Sequence, residues 1–343
     1  MSWVSFHNRR AAQIENNSLR LTMTAEGGHI AEILHKPSGV NPLWIPPWPS
    51  IEPSTWGKEK HPEYGADAES KLLSAIMGHN LCLDLFGAPS PEEAAAGMTV
   101  HGEASILPYQ ISFADCELTA ACFLPAAQLQ FERCIRVDGA RVFITETVEN
   151  LAVLDRPIAW TQHVTLGPPF LEKGVTQFRA PGAKARSLGA DHDFEWPVKP
   201  GINGASEDMR VFTNAPVSAG FDSVLIEPGR RQAFFFAFSP TTRVLFGYVW
   251  KRADFPWLGI WEENYSREHS PWNRRTLTRG MEFSASPVPE SRRQMIDRHS
   301  MFGVPGYRWL PAKTKAQVDY WAFVTSADSI PESLEQLQVH VPA

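Results

Sequence analysis

Apolar and polar residues alternate in short segments along most of this chain, and turn-forming residues separate the segments. Four consecutive segments of this kind occupy residues 106–113, 117–123, 128–137 and 142–149. Asp115, Pro125 and the Asp138-Gly139 pair lie between them, and these residue types supply the backbone angles of tight turns. Alternation with a period of two turns one side of each strand towards a core. The pattern therefore predicts antiparallel β-sheet.

Strand patterns continue on both sides of this region. Leu19, Leu21 and Met23 share one face of a strand that turns at Gly27-Gly28 and returns over 30–34. Later strand patterns cover residues 159–166, 220–226, 232–239, 244–250, 281–286 and 317–325. Many strands with short spacings and few helices favour a sandwich or barrel.

Helical patterns are confined to 66–77, 91–96 and 332–337, and the segments 42–64 and 180–216 are predicted to be long irregular loops beside a site. The length of 343 residues fits one large β domain or two small ones. Because the strand pattern is the same on both sides of the irregular segments, the whole chain, 1–343, is predicted to be a single domain.

Charge and hydropathy exclude several classes of partner. Lys and Arg number 32 against 38 Asp and Glu, a net charge of −6, and no stretch is dense in basic residues. Because phosphate backbones need a clustered positive surface, no nucleic acid partner is expected. No apolar run resembles a membrane span or a secretion signal, which predicts a cytoplasmic protein without a membrane partner.

The cysteines carry no recognisable motif. Cys82, Cys116, Cys122 and Cys134 include no C-x-x-C pair and match no zinc module, so buried free thiols are expected.

Seven of the twelve tryptophans fall in segments that look like loops: Trp44, Trp48, Trp56, Trp196, Trp257, Trp261 and Trp272. Exposed indole faces stack on sugar rings, but the same residues could equally pack onto the outside of a sandwich.

A few polar residues interrupt otherwise apolar strands, where they are rare unless paired or functional. His163 lies in a strand pattern beside Trp160 and Val164, and Glu282 lies in another. His101 and Glu103 are expected to open a strand and share one face of it. Glu262 and Glu263 are adjacent, so only one of them can face a given site.

The order of these elements resembles the aldose 1-epimerase, or galactose mutarotase-like, superfamily. His101-Gly102 follows a Gly-containing loop, His163 follows about sixty residues later, and Gly280-Met281-Glu282 lies on a late strand that ends at Pro287. The segment Gly259-Ile260-Trp261 is also similar to that superfamily. The resemblance implies an all-β fold, an antiparallel β-supersandwich with few short helices and an open sugar-binding groove.

The resemblance also implies an isomerase that interconverts sugar anomers, with Glu282 as general base and His163 as general acid. One group takes the proton of the anomeric hydroxyl while the other protonates the ring oxygen, and neither a metal nor a cofactor is needed. For Glu282 to be ionised beside a protonated His163, their attraction must offset burial of the imidazole. The residues expected to bind the sugar are His101, His79, Glu263, Trp261 and Glu103.

Three features depart from the superfamily pattern. One is that Gln162-His163-Val164-Thr165-Leu166 replaces the Asn-His-x-Tyr-x-Asn-like context that surrounds the acid in the superfamily. Its members carry an Arg upstream of the first His, whereas residues 21–100 contain none, and His79 is the nearest polar substitute. Glu103 also replaces the second Gly of an H-G-G sequence.

Three alternatives stay open. The same scaffold could bind carbohydrate without turning it over, because fold alone does not determine activity. A hydrolase or lyase would pair Glu282 with Glu262 or Glu263 across a glycosidic bond. A cupin-like metal enzyme would use His101, Glu103 and His163 as ligands, with His79 as a possible addition.

Overall fold

The computed structural model describes residues 1–114, 117–201 and 205–341, and β-strands dominate it. The first ten strands are β1 (Ser2–Phe6), β2 (Arg9–Glu15), β3 (Leu19–Thr24), β4 (Ile30–His35), β5 (His79–Asp84), β6 (Gln110–Ala114), β7 (Glu117–Leu124), β8 (Leu129–Asp138), β9 (Arg141–Asn150) and β10 (Arg156–Leu166). The next eight are β11 (Gln177–Arg179), β12 (Gly182–Ser187), β13 (His192–Glu195), β14 (Val198–Pro200), β15 (Ser206–Asp208), β16 (Ser218–Ile226), β17 (Gln232–Ser239) and β18 (Val244–Lys251). The last six are β19 (Trp257–Asn264), β20 (Arg279–Ser284), β21 (Ser300–Met301), β22 (Val304–Pro305), β23 (Arg308–Leu310) and β24 (Lys315–Ser326).

Helices are few and short. They are α1 (Ser70–Leu73), α2 (Pro91–Ala95), α3 (Arg292–Arg298) and α4 (Leu334–His340), with 3₁₀ turns at Pro53–Thr55, Pro62–Tyr64 and Glu103–Ser105. Within the described residues, no helix is both long and apolar enough to cross a membrane.

Two large antiparallel sheets pack face to face. In the described part of the chain the larger sheet has the order β1-β2-β3-β4-β5-β10-β20-β19-β16-β12-β13, with β23 beside β10. The smaller sheet has the order β11-β17-β18-β24-β9-β8-β7-β6. The indole of Trp250 on β18 stacks on the ring of Phe283 on β20, with 4.5 Å between ring centroids, so the inner faces of both sheets share one core. The predicted all-β fold with few short helices is confirmed.

The predicted strands 117–123, 128–137 and 142–149 correspond to β7, β8 and β9, because their alternation matches a sheet with one covered face. In β9 every second residue is buried. The predicted turn at Asp115 and the thiol of Cys116 lie outside the described residues.

Two expectations are corrected. The segment 180–216 is not one irregular loop, because it contains β12, β13, β14 and β15, each of six residues or fewer. The helix expected over 66–77 is reduced to the four residues of α1. Gly65 and Gly78, with φ of 97° and 56°, bound this segment with backbone angles that a helix does not allow.

A buried polar network joins the sheets at their centre. The carboxylate of Glu146 on β9 accepts hydrogen bonds from Arg133, Trp160, Tyr320 and, at 2.6 Å, from the side-chain amide of Gln162 on β10. Because these donors come from both sheets and all are buried, the network fixes how β10 lies against the smaller sheet.

A second, smaller hydrophobic cluster lies against the other face of the larger sheet. It contains Trp44, Trp48, Tyr64, Leu72 and Trp272, all nearly inaccessible to solvent. The segment 42–64 and α1 therefore form a packed layer rather than a free loop.

The described cysteines Cys82, Cys122 and Cys134 are free thiols. Burial raises the pKa of Cys82, and raises the pKa values of Cys122 and Cys134 to about 12, so all three stay protonated near neutral pH.

Candidate functional site

Strand register brings His163 and Glu282 together. β10 and β20 pair antiparallel with Thr161 opposite Ser284 and Thr165 opposite Gly280, so His163 and Glu282 are cross-strand neighbours on the same face. Nε2 of His163 lies 3.2 Å from Oε1 of Glu282. Gln162, one residue away, points to the opposite face and joins the network in the core. The pair thus follows from alternation on two adjacent strands.

Two glycines make room for this pair and its surroundings. Gly259 on β19 lies directly opposite Glu282, and Gly280 lies opposite Trp261. A Cβ atom at Gly280 would be 2.6 Å from Oε1 of Glu282, and one at Gly259 would be 2.5 Å from the ring of Phe221. Side chains at either position would displace the carboxylate or the aromatic wall.

His163 and Glu282 lie in a cavity of about 470 Å³. Its aromatic walls come from Phe86, Phe221, Trp261 and Trp272. The ring of Trp261 is 5.9 Å from that of His163, measured between centroids, and Trp272 contacts Trp261 edge to face at 6.2 Å. Volume and lining are typical of a small-molecule site.

His101 also reaches the cavity, but not from a strand. Its φ is 63° and that of Gly102 is 76°, so these residues form a turn before the 3₁₀ turn Glu103–Ser105, and the expected strand is corrected. Nδ1 of His101 is 2.5 Å from the carbonyl oxygen of Phe86, and its ring is 5.0 Å from that of His163. Because a carbonyl only accepts, Nδ1 carries the proton and Nε2 is left for a ligand.

The structure does not bring His79 or Glu103 to the cavity. Both ring nitrogens of His79 are bonded in the core, to the Tyr248 hydroxyl at 2.9 Å and to Oε1 of Gln162 at 2.8 Å. The Glu103 carboxylate accepts from the backbone N–H groups of Ala126 and Ala127. The ligand set His101, Glu103 and His163 is therefore not assembled, and the described residues contain no group of three suited to a metal ion.

Glu262 and Glu263 point to opposite faces, as expected for adjacent strand residues. Glu263 shares its face with Trp261, and its carboxylate accepts from the backbone N–H and hydroxyl of Ser266 and from the N–H of Arg267. Glu262 pairs instead with Arg279 at 2.7 Å. Both carboxylates are occupied by protein donors, which does not favour a hydrolase that pairs either of them with Glu282.

Arg267 is a cavity residue that the sequence did not indicate. Its guanidinium lies 3.2 Å from Oε2 of Glu69, 3.3 Å from Oε2 of Glu263, and 4.6 Å above the ring of Trp272. Glu69 and Arg267 are separated by 198 residues, and no motif connects them. The guanidinium that lines the cavity thus comes from the second half of the chain.

Burial favours the uncharged forms of both members of the central pair. Desolvation raises the pKa of Glu282 well above its usual value, and within the described residues neither carboxylate oxygen accepts a well-directed hydrogen bond. Burial, and then the neighbouring His101, lowers the pKa of His163. Both shifts favour a protonated Glu282 beside a neutral His163, and in its Nδ1–H tautomer His163 can donate to Oγ1 of Thr165, 3.2 Å away.

Comparison with known proteins defines the fold. Neither a protein-family model nor a curated protein matches the sequence. Among solved structures, a Klebsiella pneumoniae protein with the provisional name aldose 1-epimerase superposes with a TM-score of 0.66 at 15% identity, over 97% of this chain and 82% of that one. A galactose mutarotase-like protein from Clostridium acetobutylicum superposes with a TM-score of 0.61 at 11% identity, over 95% and 98% of the two chains. The chain has the galactose mutarotase-like fold.

A third similar structure is Slr1438 from Synechocystis, with a TM-score of 0.65 at 13% identity, over 95% of this chain and all of that one. All three similarities span nearly the whole chain. The galactose mutarotase-like fold is therefore a property of the entire molecule, not of one sheet.

Proposed function

We propose that this protein is a carbohydrate-active isomerase of the aldose 1-epimerase type, which interconverts the anomers of a sugar. The observation that carries the proposal is the cross-strand pair of His163 and Glu282 in an aromatic cavity. The mutarotase-like fold supports it, although the similarity of fold does not by itself determine activity.

In this proposal, the sugar binds against the indole of Trp261, which is half-buried and borders the cavity. Nε2 of His101 accepts a hydrogen bond from one hydroxyl. Arg267, held by Glu69, Glu263 and Trp272, donates to others, and because its geometry is fixed before binding, little side-chain entropy is lost.

The reaction needs one proton acceptor and one donor at neighbouring oxygens. Glu282 takes the proton of the anomeric hydroxyl while His163 protonates the ring oxygen, and the C1–O bond of the ring breaks as the C1 carbonyl forms. Rotation about C1–C2 presents the other carbonyl face. On closure, His163 takes a proton back from the attacking hydroxyl, and Glu282 returns one to the carbonyl oxygen.

The resting proton must move before this step. Because burial favours the protonated form of Glu282, a base at that position requires transfer of its proton to Nε2 of His163 across 3.2 Å. The transfer creates a carboxylate and an imidazolium in contact, and bound hydroxyl groups would stabilise both charges. Substrate binding is therefore expected to activate the pair.

A second candidate is a protein that binds sugar without turning it over. The observation that favours it is the burial of the Glu282 carboxyl group without a well-directed donor, because this burial raises its pKa and opposes the ionised form that a base needs. The aromatic walls, His101 and Arg267 would serve binding equally well in such a protein.

Anomer exchange by NMR decides between these two. Freshly dissolved α-anomers of glucose, galactose and other aldoses are mixed with the wild type, with Glu282→Gln, and with Glu132→Gln as a control at an exposed site on the smaller sheet. The isomerase proposal expects faster equilibration that Glu282→Gln lowers by about 100-fold or more and Glu132→Gln leaves unchanged.

If sugars bind but equilibrate no faster than in buffer, the binding protein is supported and the isomerase is contradicted. Equal rates for Glu282→Gln and wild type would also contradict the assigned roles.

A further inference from the structure

The basic group at the mouth of the cavity is already ion-paired. Arg267 is the one Lys or Arg among the described cavity-lining residues, and it is ion-paired with both Glu69 and Glu263. The ring of Trp272 covers one face of its guanidinium. A ligand therefore finds donor groups on Arg267 but no unbalanced positive charge.

Acidic groups, in contrast, exceed basic ones. Glu262 is the third carboxylate of the described lining, and it is ion-paired with Arg279. Glu282 is the fourth carboxyl group. It is 1% exposed and lines the cavity, and the described residues give its oxygens no well-directed hydrogen bond. Oε1 of Glu69 is likewise unbonded in the described structure, since only its Oε2 meets Arg267. Burial lowers the pKa values of His101 and His163, so neither adds a lasting positive charge.

These charges act on a ligand in opposite ways according to its sign. A phosphate or carboxylate on a sugar would lose water in a cavity where the described residues offer no unpaired cation, and it would be repelled by Glu69 and Glu263. An ammonium group would be attracted to the same carboxylates and would meet the faces of Phe86, Phe221 and Trp261. Neutral hydroxyl groups would be neither attracted nor repelled by the net charge of the cavity.

We propose that this cavity accepts uncharged and amino-bearing sugars and rejects sugars that carry phosphate or carboxylate, with Glu69 setting the preference. The inference rests on the proposed function only in taking a sugar as the ligand. Glu69 acts here by charge, since its free oxygen lies at the mouth rather than beside His163 and Glu282.

The test measures binding of four probes to the whole protein by NMR titration at neutral pH and low salt: glucose, glucosamine, glucose 6-phosphate and glucuronate. We expect glucosamine to bind at least about tenfold more tightly than glucose 6-phosphate, and the ratio to shrink at high salt. Glu69→Gln should lower that ratio by about three- to tenfold, while Glu132→Gln, which removes the same charge from the smaller sheet, should leave it unchanged.

Several outcomes overturn the inference: glucose 6-phosphate binding as tightly as glucosamine, a ratio that Glu69→Gln does not alter, or no binding by any of the four probes. Anomer exchange recorded on the same samples separates this result from the proposed function. If the order of affinities holds without exchange, the charge preference stands and the isomerase does not.

Discussion

Three buried glutamates show how surroundings decide what a carboxylate does. Glu146 accepts four hydrogen bonds at the centre of the core, and Glu263 accepts three from the segment that follows it. Glu282 is buried as deeply, yet the described residues give its oxygens no well-directed donor. Leaving a buried polar group unsatisfied costs about 1–3 kcal/mol or more. A cost of this kind is expected where a ligand completes the hydrogen bonds.

The burial of Glu282 should affect how the free energy of unfolding depends on pH. Because the folded pKa of Glu282 is raised above its unfolded value, its contribution is fully present below the unfolded pKa and is lost as pH rises through the folded pKa. His163 has the opposite effect on stability. Because its pKa is lowered in the folded protein, the unfolded state binds an extra proton when the pH falls below the usual histidine pKa of 6.5, and stability is then lost. The two effects oppose each other in the range where both act, so the wild-type profile alone does not isolate Glu282.

The Glu282→Gln variant isolates the contribution of Glu282 to this pH dependence. The Gln variant should gain free energy of unfolding relative to wild type as pH rises from 5 to 9, by about 1.4 kcal/mol for each unit by which burial raises the pKa. Urea unfolding at several pH values measures this difference, with Glu132→Gln as the control. A difference that is constant with pH would mean that Glu282 is ionised in the folded protein throughout that range.

The sequence made His163 and Glu282 recognisable because each is a polar residue inside an apolar strand, a signal that needs no knowledge of the fold. His79 is predicted on different grounds, as the polar residue nearest to the position of the missing arginine, and its polar partners lie in the core instead of the cavity. Alternation shows which residues share a face within one strand. It does not show which of the two faces of a fully buried strand borders the cavity.

At the scale of elements, β10 connects the core to the site. All of its residues from Ile158 to Leu166 are buried, and alternate side chains serve different purposes. Gln162 meets the Glu146 network on one face, while His163 lines the cavity on the other face and is contacted there by Thr165. A substitution in the Glu146 network should therefore lower the stability of the protein and also displace β10.

Glu146→Gln tests this connection. It leaves the guanidinium of Arg133 buried without its counter-charge, so we expect a loss of about 3–5 kcal/mol in the free energy of unfolding. Tyr320→Phe removes one hydroxyl from the same carboxylate and should cost only about 1–2 kcal/mol. Urea unfolding compares the two variants, and equal losses would contradict a dominant role for the ion pair.

Long alternating strands were predictable and short elements were not, for a physical reason. A strand such as β9, with ten residues, repeats the period-two pattern five times, whereas β14 has three residues and gives no period at all. In the 66–77 segment, Leu72, Leu73 and Ile76 bury their side chains against the cavity and its tryptophan cluster. The apolar residues of this segment are spaced by their contacts with the cavity and the tryptophan cluster, and not by the period of a helix.

At the scale of the molecule, the site consists of two layers with different origins. The floor is the larger sheet, where β10 and β20 hold His163 and Glu282. The wall comes from α1 and its preceding segment together with the residues after β19, which are distant in sequence. Contacts such as Glu69 with Arg267 depend on how these segments dock, so spacing along the chain could not reveal them.

Trp272 joins the wall to the floor, and removing it should open the wall alone. Its ring lies 5.1 Å from Trp48 and 6.2 Å from Trp261, and it supports the Arg267 guanidinium. Trp272→Ala should cost about 3–5 kcal/mol locally, so backbone amides in 42–76 and 265–275 should exchange hydrogen faster.

The amides of β8, β9 and β24 should keep their protection, because the core between the sheets does not include Trp272. Hydrogen exchange by mass spectrometry measures both regions, and Trp309→Ala, at a side chain 58% exposed, serves as the control. Sugar binding should weaken in Trp272→Ala as the wall opens. Faster exchange throughout both sheets would instead mean that the tryptophan wall and the core between the sheets unfold as one cooperative unit.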